Sequence, residues 1–300
     1  MPFARVALIG LGLIGSSLAR AIQEYLPDTE VVAFDGNEDV RAKARQLGLA
    51  LVTDTLVEAA VNIDLIILCT PVGAMGEVAK QLRPHVAPGA VVSDVGSVKG
   101  AVLATLTEQL PQALVIPAHP IAGTEQSGPG AGFATLFRNR WCILTPPSAA
   151  PAQAIERLQS FWEALGARVE IMTADRHDRV LAVTSHLPHL IAYTIVGTAS
   201  DLETVTEAEV IKYSAGGFRD FTRIAASDPT MWRDVFLSNR EAVLEMLGRF
   251  SEDLASLQRA IRWGDGDALF DLFSRTRAIR RSIVEQGQDD GRPDFGRADH

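Results

Sequence analysis

The chain has 300 residues and a mass of 32.3 kDa, which is enough for about two domains of ordinary size. Its hydrophobic content of 47% excludes a disordered protein. Acidic residues outnumber basic ones by 37 to 28, and the formal net charge of −9 argues against nucleic acid and anionic membrane surfaces as partners, because both carry phosphate groups.

Cysteine usage predicts the cellular compartment. Cys69 and Cys142 each lie within an apolar run, and two cysteines cannot form the disulfide framework that is typical of small secreted proteins. The N-terminal residues enter a strand pattern at once, without the layout of a signal peptide. No apolar run approaches the roughly 20 residues that a membrane-spanning helix needs. These features predict a reduced, cytoplasmic protein without a membrane partner.

The first half of the sequence alternates between strand and helix patterns. Short apolar runs are separated by helical patterns of roughly 10–15 residues, which is typical of βαβ units and a parallel sheet. The runs are continuously apolar rather than alternating, so we expect helices on both faces of the sheet. Strands are predicted at residues 6–9, 31–34, 64–69, 91–93, 114–116, 141–144 and 169–172.

Beyond residue 172 the sequence predicts helices alone. A long helix is expected over residues 174–196, bent at Pro188 because proline removes a backbone hydrogen bond. Further helices are predicted at residues 201–210, 228–250, 252–262 and 265–284. The predicted fold class is therefore α/β, with a Rossmann-type, mostly parallel sheet domain over residues 1–172 and an all-helical domain over residues 173–286. The polar residues 287–300 are predicted to form a disordered tail.

The loop after the first predicted strand matches the dinucleotide-binding pattern G-x-G-x-x-G. The pattern follows a strand and opens a helix, which is the context that the fingerprint requires. The first glycine allows a tight turn, the second lets the backbone approach a pyrophosphate, and the third lets helix and strand pack closely. The helix N-terminus then offers amides and a partial positive charge to the phosphates. The run consists of Gly10, Leu11, Gly12, Leu13, Ile14 and Gly15.

An acidic residue predicts which dinucleotide binds. Asp35 comes 20 residues after Gly15, at the end of the second predicted strand. Its carboxylate suits the ribose hydroxyls of NAD and repels the 2′-phosphate of NADP, so NAD is favoured, with FAD as the alternative cofactor. Thr70 and Pro71 follow a third strand and are expected near the cofactor ribose. The alternative interpretation is a glycine turn in a domain that binds no cofactor.

Further motifs lie past strand ends or in the helical half. Residues 94–99 read D-V-G-S-V-K, and residues 119–128 read H-P-I-A-G-T-E-Q-S-G. Both follow predicted strands, so both loops are expected at the edge of the sheet where ligands bind. The helical half contains S-H-L-P-H at residues 185–189, G-G-F-R-D-F-T-R at residues 216–223 and D-P-T-M-W-R at residues 228–233.

Together these motifs resemble the prephenate/arrogenate dehydrogenase family of tyrosine biosynthesis. The resemblance extends from Gly10 to about Arg281. It implies an NAD-dependent oxidative decarboxylation of prephenate to 4-hydroxyphenylpyruvate, in which a hydride passes from C4 to NAD and CO2 leaves C1. Arrogenate as substrate, or both substrates together, is the alternative within the family.

The resemblance assigns catalytic roles to two residues. His119 matches the catalytic histidine, which hydrogen-bonds the C4 hydroxyl and accepts its proton, a task that suits imidazole. The alternative for His119 is a histidine that merely satisfies loop backbone. Ser97 matches a serine that contacts the histidine and the substrate or nicotinamide, although a lone serine there reads as a helix N-cap.

The resemblance also implies a substrate pocket formed largely by the helical half. Arg223 matches an arginine that grips a substrate carboxylate with its planar guanidinium, and His189 matches a pocket histidine. His186 is interpreted as structural. The remaining implied pocket residues are Thr124, the aromatic Trp232 and an ion-pair cluster of Arg219 and Glu125, for which a solvated surface pair is the alternative.

The resemblance implies a homodimer formed through the helical half. Apolar residues between 236 and 247 fit this, but they fit an internal core equally well.

Two rival functions remain. A dehydrogenase of β-hydroxy acids or imines usually depends on a lysine in this half, where only Lys212 occurs. A non-catalytic NAD(H)-binding sensor explains the glycine motif but not the other motifs together. No metal site is predicted.

Overall fold

A computed structural model of the chain describes residues 2–124, 126–201 and 216–285. Of these residues, those up to Val243 form one compact unit, and those from Leu244 onward form a second. The first unit contains the predicted sheet domain and the beginning of the helical half. The predicted helix at residues 201–210 lies almost entirely outside the described residues, and the predicted tail lies wholly outside them.

A six-stranded parallel sheet with the strand order β3-β2-β1-β4-β5-β6 forms the centre of the first unit. This order, in which the chain crosses over after β3, confirms the Rossmann-type prediction. The sequence prediction missed β3, which has only two residues. The strands are β1 (Arg5–Ile9), β2 (Glu30–Phe34), β3 (Leu51–Val52), β4 (Leu65–Leu68), β5 (Val91–Asp94) and β6 (Leu114–Val115).

Helices cover both faces of this sheet. Successive side chains of its strands point to opposite faces, so the buried strands contribute apolar side chains to both cores. Ala7 and Ile66 face one core cluster, whereas Leu8 and Leu65 face the other. The helices of this region are α1 (Leu13–Tyr25), α2 (Glu38–Gln46), α3 (Leu56–Ala59), α4 (Val72–Leu82), α5 (Gly100–Gln109) and α6 (Ala152–Ala164).

A second sheet of three strands follows β6. It consists of β7 (Ala118–Pro120), β8 (Trp141–Leu144) and β9 (Arg168–Ile171), with β7 antiparallel to β8 and β8 parallel to β9. The sequence prediction missed β7 and placed the last two strands in the main sheet. The correction matters because β7 carries His119 in its centre.

The helical half begins with α7 (Ala174–Leu181), a π-helical turn (Ala182–His186) and α8 (Leu187–Ser200). The irregularity of this helix lies in the turn directly before Pro188, whose ring leaves the Thr184 carbonyl without its helical donor. The Leu187 amide reaches back five residues to the Ala182 carbonyl, so the helix widens by one residue before Pro188, which then occupies the first turn of α8.

Residues Ala174–Ser200 form a helical stretch of 27 residues that is long and apolar enough to cross a membrane. The sequence prediction overlooked this stretch, because from residue 180 to residue 200 Ser, Thr, His and other neutral residues interrupt the apolar side chains without adding formal charge. Only 22% of its apolar window is buried. A helix that packs against another chain meets the same criterion, so length and composition alone do not assign this stretch to a membrane.

The remaining described helices are α9 (Gly216–Thr222), α10 (Pro229–Ser238), α11 (Arg240–Trp263) and α12 (Gly266–Glu285), with a 3₁₀ turn at Arg223–Ala226. The predicted break at residue 251 is wrong. Ser251 stays helical and donates its hydroxyl to the Leu247 carbonyl. The chain breaks instead at Asn239, whose buried side chain bonds to the α7 backbone and to His186.

Candidate active site

The glycine-rich turn between β1 and α1 has no room for side chains at two of its glycines. Gly10 has a φ of +104°, and a Cβ there would lie 2.7 Å from the Cys69 carbonyl oxygen. A Cβ at Gly15 would lie 2.0 Å from the Gly10 carbonyl oxygen. A Cβ at Gly12 meets nothing within 4 Å, and α1 starts there without a side-chain cap. The first turn of α1 therefore faces an open space that suits a pyrophosphate.

The neighbouring strand ends supply polar groups that fit the rest of NAD. The Asp35 carboxylate accepts the Leu11 amide at 2.8 Å and the Asn37 amide at 2.9 Å. Each carboxylate oxygen has a second lone pair, which remains for a ribose hydroxyl. The Thr70 hydroxyl, at the end of β4, is buried without a hydrogen-bond partner in the described chain. Pro71 is exposed and begins α4.

A buried ion pair fixes the strand that carries His119. Lys99 and Asp94 are both fully buried and pair directly. The Lys99 ammonium also donates to the Ala118 carbonyl at 2.8 Å, and the other Asp94 oxygen accepts the Ala118 amide at 3.3 Å. Both backbone groups of the residue before His119 are thus held by the D-V-G-S-V-K motif.

His119 begins a chain of hydrogen bonds that sequence reasoning missed. Its Nδ1 lies 2.8 Å from Nε2 of His177, and Nδ1 of His177 lies 2.8 Å from the Asp178 carboxylate. An ionised carboxylate only accepts, so His177 carries its proton on Nδ1 and presents a lone pair at Nε2. His119 must then donate from Nδ1. Its Nε2 is left as an acceptor, which is the state that a general base requires.

The pKa values agree with this assignment. Burial raises the pKa of Asp178, but hydrogen bonds from His177 and from the Lys99 and Gly100 amides outweigh burial and leave that pKa below its ordinary value. Burial lowers the pKa of His119 well below its ordinary value, and the nearby His177 lowers it further. His119 is therefore neutral near neutral pH, as a proton acceptor must be.

A second group of side chains surrounds the start of α8. His189 stacks on Trp232 with ring centroids 3.7 Å apart. Burial lowers the pKa of His189, and the positive charge of Arg223 lowers it further. His186 is fully buried and its Nδ1 accepts the Asn239 side-chain amide at 3.1 Å. Its Nε2 lies near the Ser97 backbone without a well-formed hydrogen bond.

The other predicted site residues that the structure describes are more exposed than His119. Ser97 is half-buried in the loop between β5 and α5, and Thr124 is exposed after β7. Arg219 is exposed, with its Nε 3.5 Å from the Asp220 carboxylate. Glu125, its predicted partner, lies outside the described residues. The roles assigned to these four residues stay predictions.

Three functional candidates were missed because they come from distant elements. His177 and Asp178 lie on α7, and Asn239 lies at the break between α10 and α11. A signal for the first two was present, since the His-Asp pair falls on the side of α7 that also buries Leu181. Asn239 gave no signal in the sequence.

We expect thermal stability to fall as the pH is lowered from 6.5 towards 4. Burial lowers the pKa of His186 to about 4, whereas an unfolded histidine titrates near 6.5. Between these values the unfolded chain binds a proton that the folded chain rejects, so folding loses roughly 3 kcal/mol. Melting temperatures measured from pH 7.5 to 4 should show the fall.

The contribution of His186 is isolated by comparing two variants. His186→Gln should lessen the dependence of the melting temperature on pH over this range. His85→Gln changes an exposed histidine and should leave the wild-type dependence. Equal slopes for wild type and His186→Gln would contradict the assignment.

Two family models match the chain. Residues 18–171 match "Prephenate dehydrogenase, nucleotide-binding domain", and residues 173–275 match "Prephenate dehydrogenase, dimerization domain". Together the matches extend over most of the chain, and both carry the same enzyme name.

Individual relatives and solved structures agree with the family models. A cyclohexadienyl dehydrogenase of Zymomonas mobilis is 46% identical over 282 residues, which cover 94% of this chain and 96% of the relative. The crystal structure of Aquifex aeolicus prephenate dehydrogenase with hydroxyphenyl propionate and NAD+ has a TM-score of 0.87, with 33% identity over 93% of this chain and 98% of that one. A Synechocystis arogenate dehydrogenase structure has a TM-score of 0.79, with 26% identity over 93% of this chain and 99% of that one.

Proposed function

This chain belongs to the prephenate dehydrogenase family of NAD-dependent oxidoreductases, and from that premise we propose that it oxidatively decarboxylates prephenate to 4-hydroxyphenylpyruvate for tyrosine biosynthesis. The observation that carries the proposal is the hydrogen-bonded series His119–His177–Asp178. It leaves one nitrogen of a buried, neutral histidine free to accept a proton, on a strand held by the loop at the end of β5.

The residues of this chain handle one proton in the proposed reaction. His119 Nε2 accepts the C4 hydroxyl proton as the C4–O bond gains carbonyl character. The imidazolium that forms is stabilised because His119 Nδ1–H donates to His177, whose own proton is held by Asp178. When bound, NAD supplies the acceptor for the hydride that leaves C4. Loss of CO2 from C1 then returns electrons through the ring to the C4 oxygen, which regains its proton from His119.

The group around α8 is proposed to hold the anionic end of the substrate. The positive charge of Arg223 acts on His189, and the buried Trp232 stacks against the imidazole of His189. A guanidinium pairs bidentately with a carboxylate, and stacking on Trp232 holds the His189 ring in place. Thr124, Arg219 and Glu125 are proposed to complete the pocket.

Replacing Arg223 with glutamine should raise the KM for prephenate roughly 10- to 100-fold, the equivalent of a lost charged hydrogen bond of about 1.5–3 kcal/mol. The KM for NAD should not change, because Asp35 and the glycine-rich turn hold the cofactor. Arg179→Gln removes an exposed arginine from α7 and serves as the matched control. An Arg223→Gln enzyme with a normal KM for prephenate would rule out the carboxylate contact.

The proposed reaction is tested by following NADH absorbance with prephenate and NAD. Parallel assays with arrogenate decide between the keto and amino side chains. Acceptance of both substrates is the favoured alternative, because the Zymomonas mobilis relative is named a cyclohexadienyl dehydrogenase. NADP in place of NAD should support little turnover, since Asp35 faces the ribose. Binding of NAD without turnover of either substrate would indicate the sensor function instead.

The domain division at residue 172 and the cytoplasmic location predicted above are kept as proposals.

We also propose a homodimer formed through the helical half. Large apolar side chains are exposed along α11 and α12, and patches of this kind mark association surfaces. They include Leu254, Ile261, Trp263, Phe270 and Phe273. Sedimentation of the purified protein tests the dimer.

A further inference from the structure

The segment that connects β7 to β8 rests directly on the cofactor helix α1. We propose that Gly132 is a positioning residue whose lack of a side chain lets this segment pack on α1, and that the packing couples NAD binding to substrate binding. The coupling rests on the proposed function, because it assumes that the substrate meets His119 and the loop after it.

The contact at Gly132 leaves no space for a side chain. A Cβ there would lie 2.3 Å from the Ser16 hydroxyl oxygen. It would also lie 2.8 Å from the Ser16 carbonyl carbon and from the Ser17 backbone nitrogen. The last two atoms belong to the backbone of a buried helix and cannot rotate away. Any larger residue must therefore push the segment off α1 or distort the helix.

The same two serines link the segment to the pyrophosphate end of α1. The Phe133 amide donates to the Ser17 hydroxyl at 3.2 Å. The Ser16 hydroxyl donates to the Gly12 carbonyl at 2.7 Å. Gly12 precedes α1 at the open face described above. A movement of the glycine-rich turn on cofactor binding is therefore transmitted to Gly132 through Ser16 alone.

The other end of the segment continues the catalytic strand β7 and is tied to its neighbour β8. Ile121, directly after β7, donates its amide to the Trp141 carbonyl at 2.7 Å. The Gln126 amide then donates to the Thr124 hydroxyl at 3.2 Å. Thr124 therefore lies between two fixed points, one beside His119 and one on the cofactor helix. In this proposal, a ligand that shifts one of these points also shifts the other, and so changes the affinity for the second ligand.

Coupling of this kind is reciprocal and is measured as a change in affinity. We would measure the Kd of NAD by calorimetry with and without saturating 4-hydroxyphenylpyruvate, the proposed product, for wild type and two variants. Gly132→Ala places a methyl group against α1. Gly130→Ala adds the same methyl group in the same segment, where it meets nothing within 4 Å.

Wild type and Gly130→Ala should bind NAD at least about 5-fold more tightly when the product is present, within the usual range of coupling. In Gly132→Ala the product should change the NAD affinity less than 2-fold, and NAD alone should bind several-fold more weakly. Retained coupling in Gly132→Ala, or no coupling in wild type, would overturn the proposal.

A second variant covers the case in which Gly132→Ala fails to fold, as circular dichroism would show. Ser17→Ala removes the hydroxyl that accepts the Phe133 amide without adding volume, and it should lower the coupling by at least half. Unchanged coupling there would overturn the proposal as well. An assay of prephenate turnover by the wild-type protein distinguishes failure of the Gly132 proposal from failure of the proposed reaction. Normal turnover with unchanged coupling refutes only the role of Gly132, whereas no turnover refutes the proposed reaction.

Discussion

His119→Asn is expected to lower kcat by roughly 10²–10⁴-fold, the usual contribution of a general base. Asparagine keeps a polar group in the buried position of His119 but cannot accept a proton near neutral pH. NAD should still bind with nearly normal affinity, because Leu11 of the glycine-rich turn is held by Asp35, whereas His119 is held by His177. Single-turnover measurements with prephenate, together with a fluorescence titration of NAD, test both parts.

The pH profile gives the same prediction a second test. The pKa of His119 is lowered by burial, and the neutral form is the active one, so kcat/KM should hold as the pH falls through 6.5 and decline only below it. The acidic limb should disappear in His119→Asn. His85→Asn, at an exposed site, should match wild type in rate and profile. Near-normal turnover by His119→Asn would remove this residue from the mechanism.

The cofactor half could be predicted from sequence because its signals are local. Gly10, Gly12 and Gly15 lie within one turn, and Asp35 stands at a fixed distance from them along a single βαβ unit. Most strands of the main sheet were predicted for the same reason, since continuously apolar runs can be buried in only a few ways. The short strand β3 was missed because two residues are too few to show a hydrophobic periodicity.

The relay behind His119 could not be predicted, because its members are brought together by tertiary structure. Asp178 binds three groups at once: the His177 imidazole and the Lys99 and Gly100 amides at the start of α5. The π-helical turn of the long helix was not predicted for a similar reason. Pro188 marks a weak point in the hydrogen bonding, but the π-helical turn that absorbs it also points His186 towards Asn239.

Lys99→Met is expected to cost about 3–5 kcal/mol of folding free energy, the usual effect of leaving one member of a buried ion pair alone. Burial already raises the pKa of Asp94, and Lys99 is the main group that opposes the rise. Methionine fills a similar volume but leaves Asp94 and the Ala118 carbonyl without their shared donor. Urea denaturation measures the loss. Arg249→Met breaks an exposed pair with Glu245 and should cost less than about 1 kcal/mol.

A double variant separates the charge of Lys99 from its role in placing His119. In Lys99→Met with Asp94→Asn, the buried negative charge is gone, while the new amide oxygen can still accept the Ala118 amide. Stability should therefore recover by more than half. Activity should recover less, because the Ala118 carbonyl still lacks the donor that fixes the strand before His119. Full recovery of both would mean that Lys99 only neutralises Asp94, and the ion pair would then have no part in aligning the base.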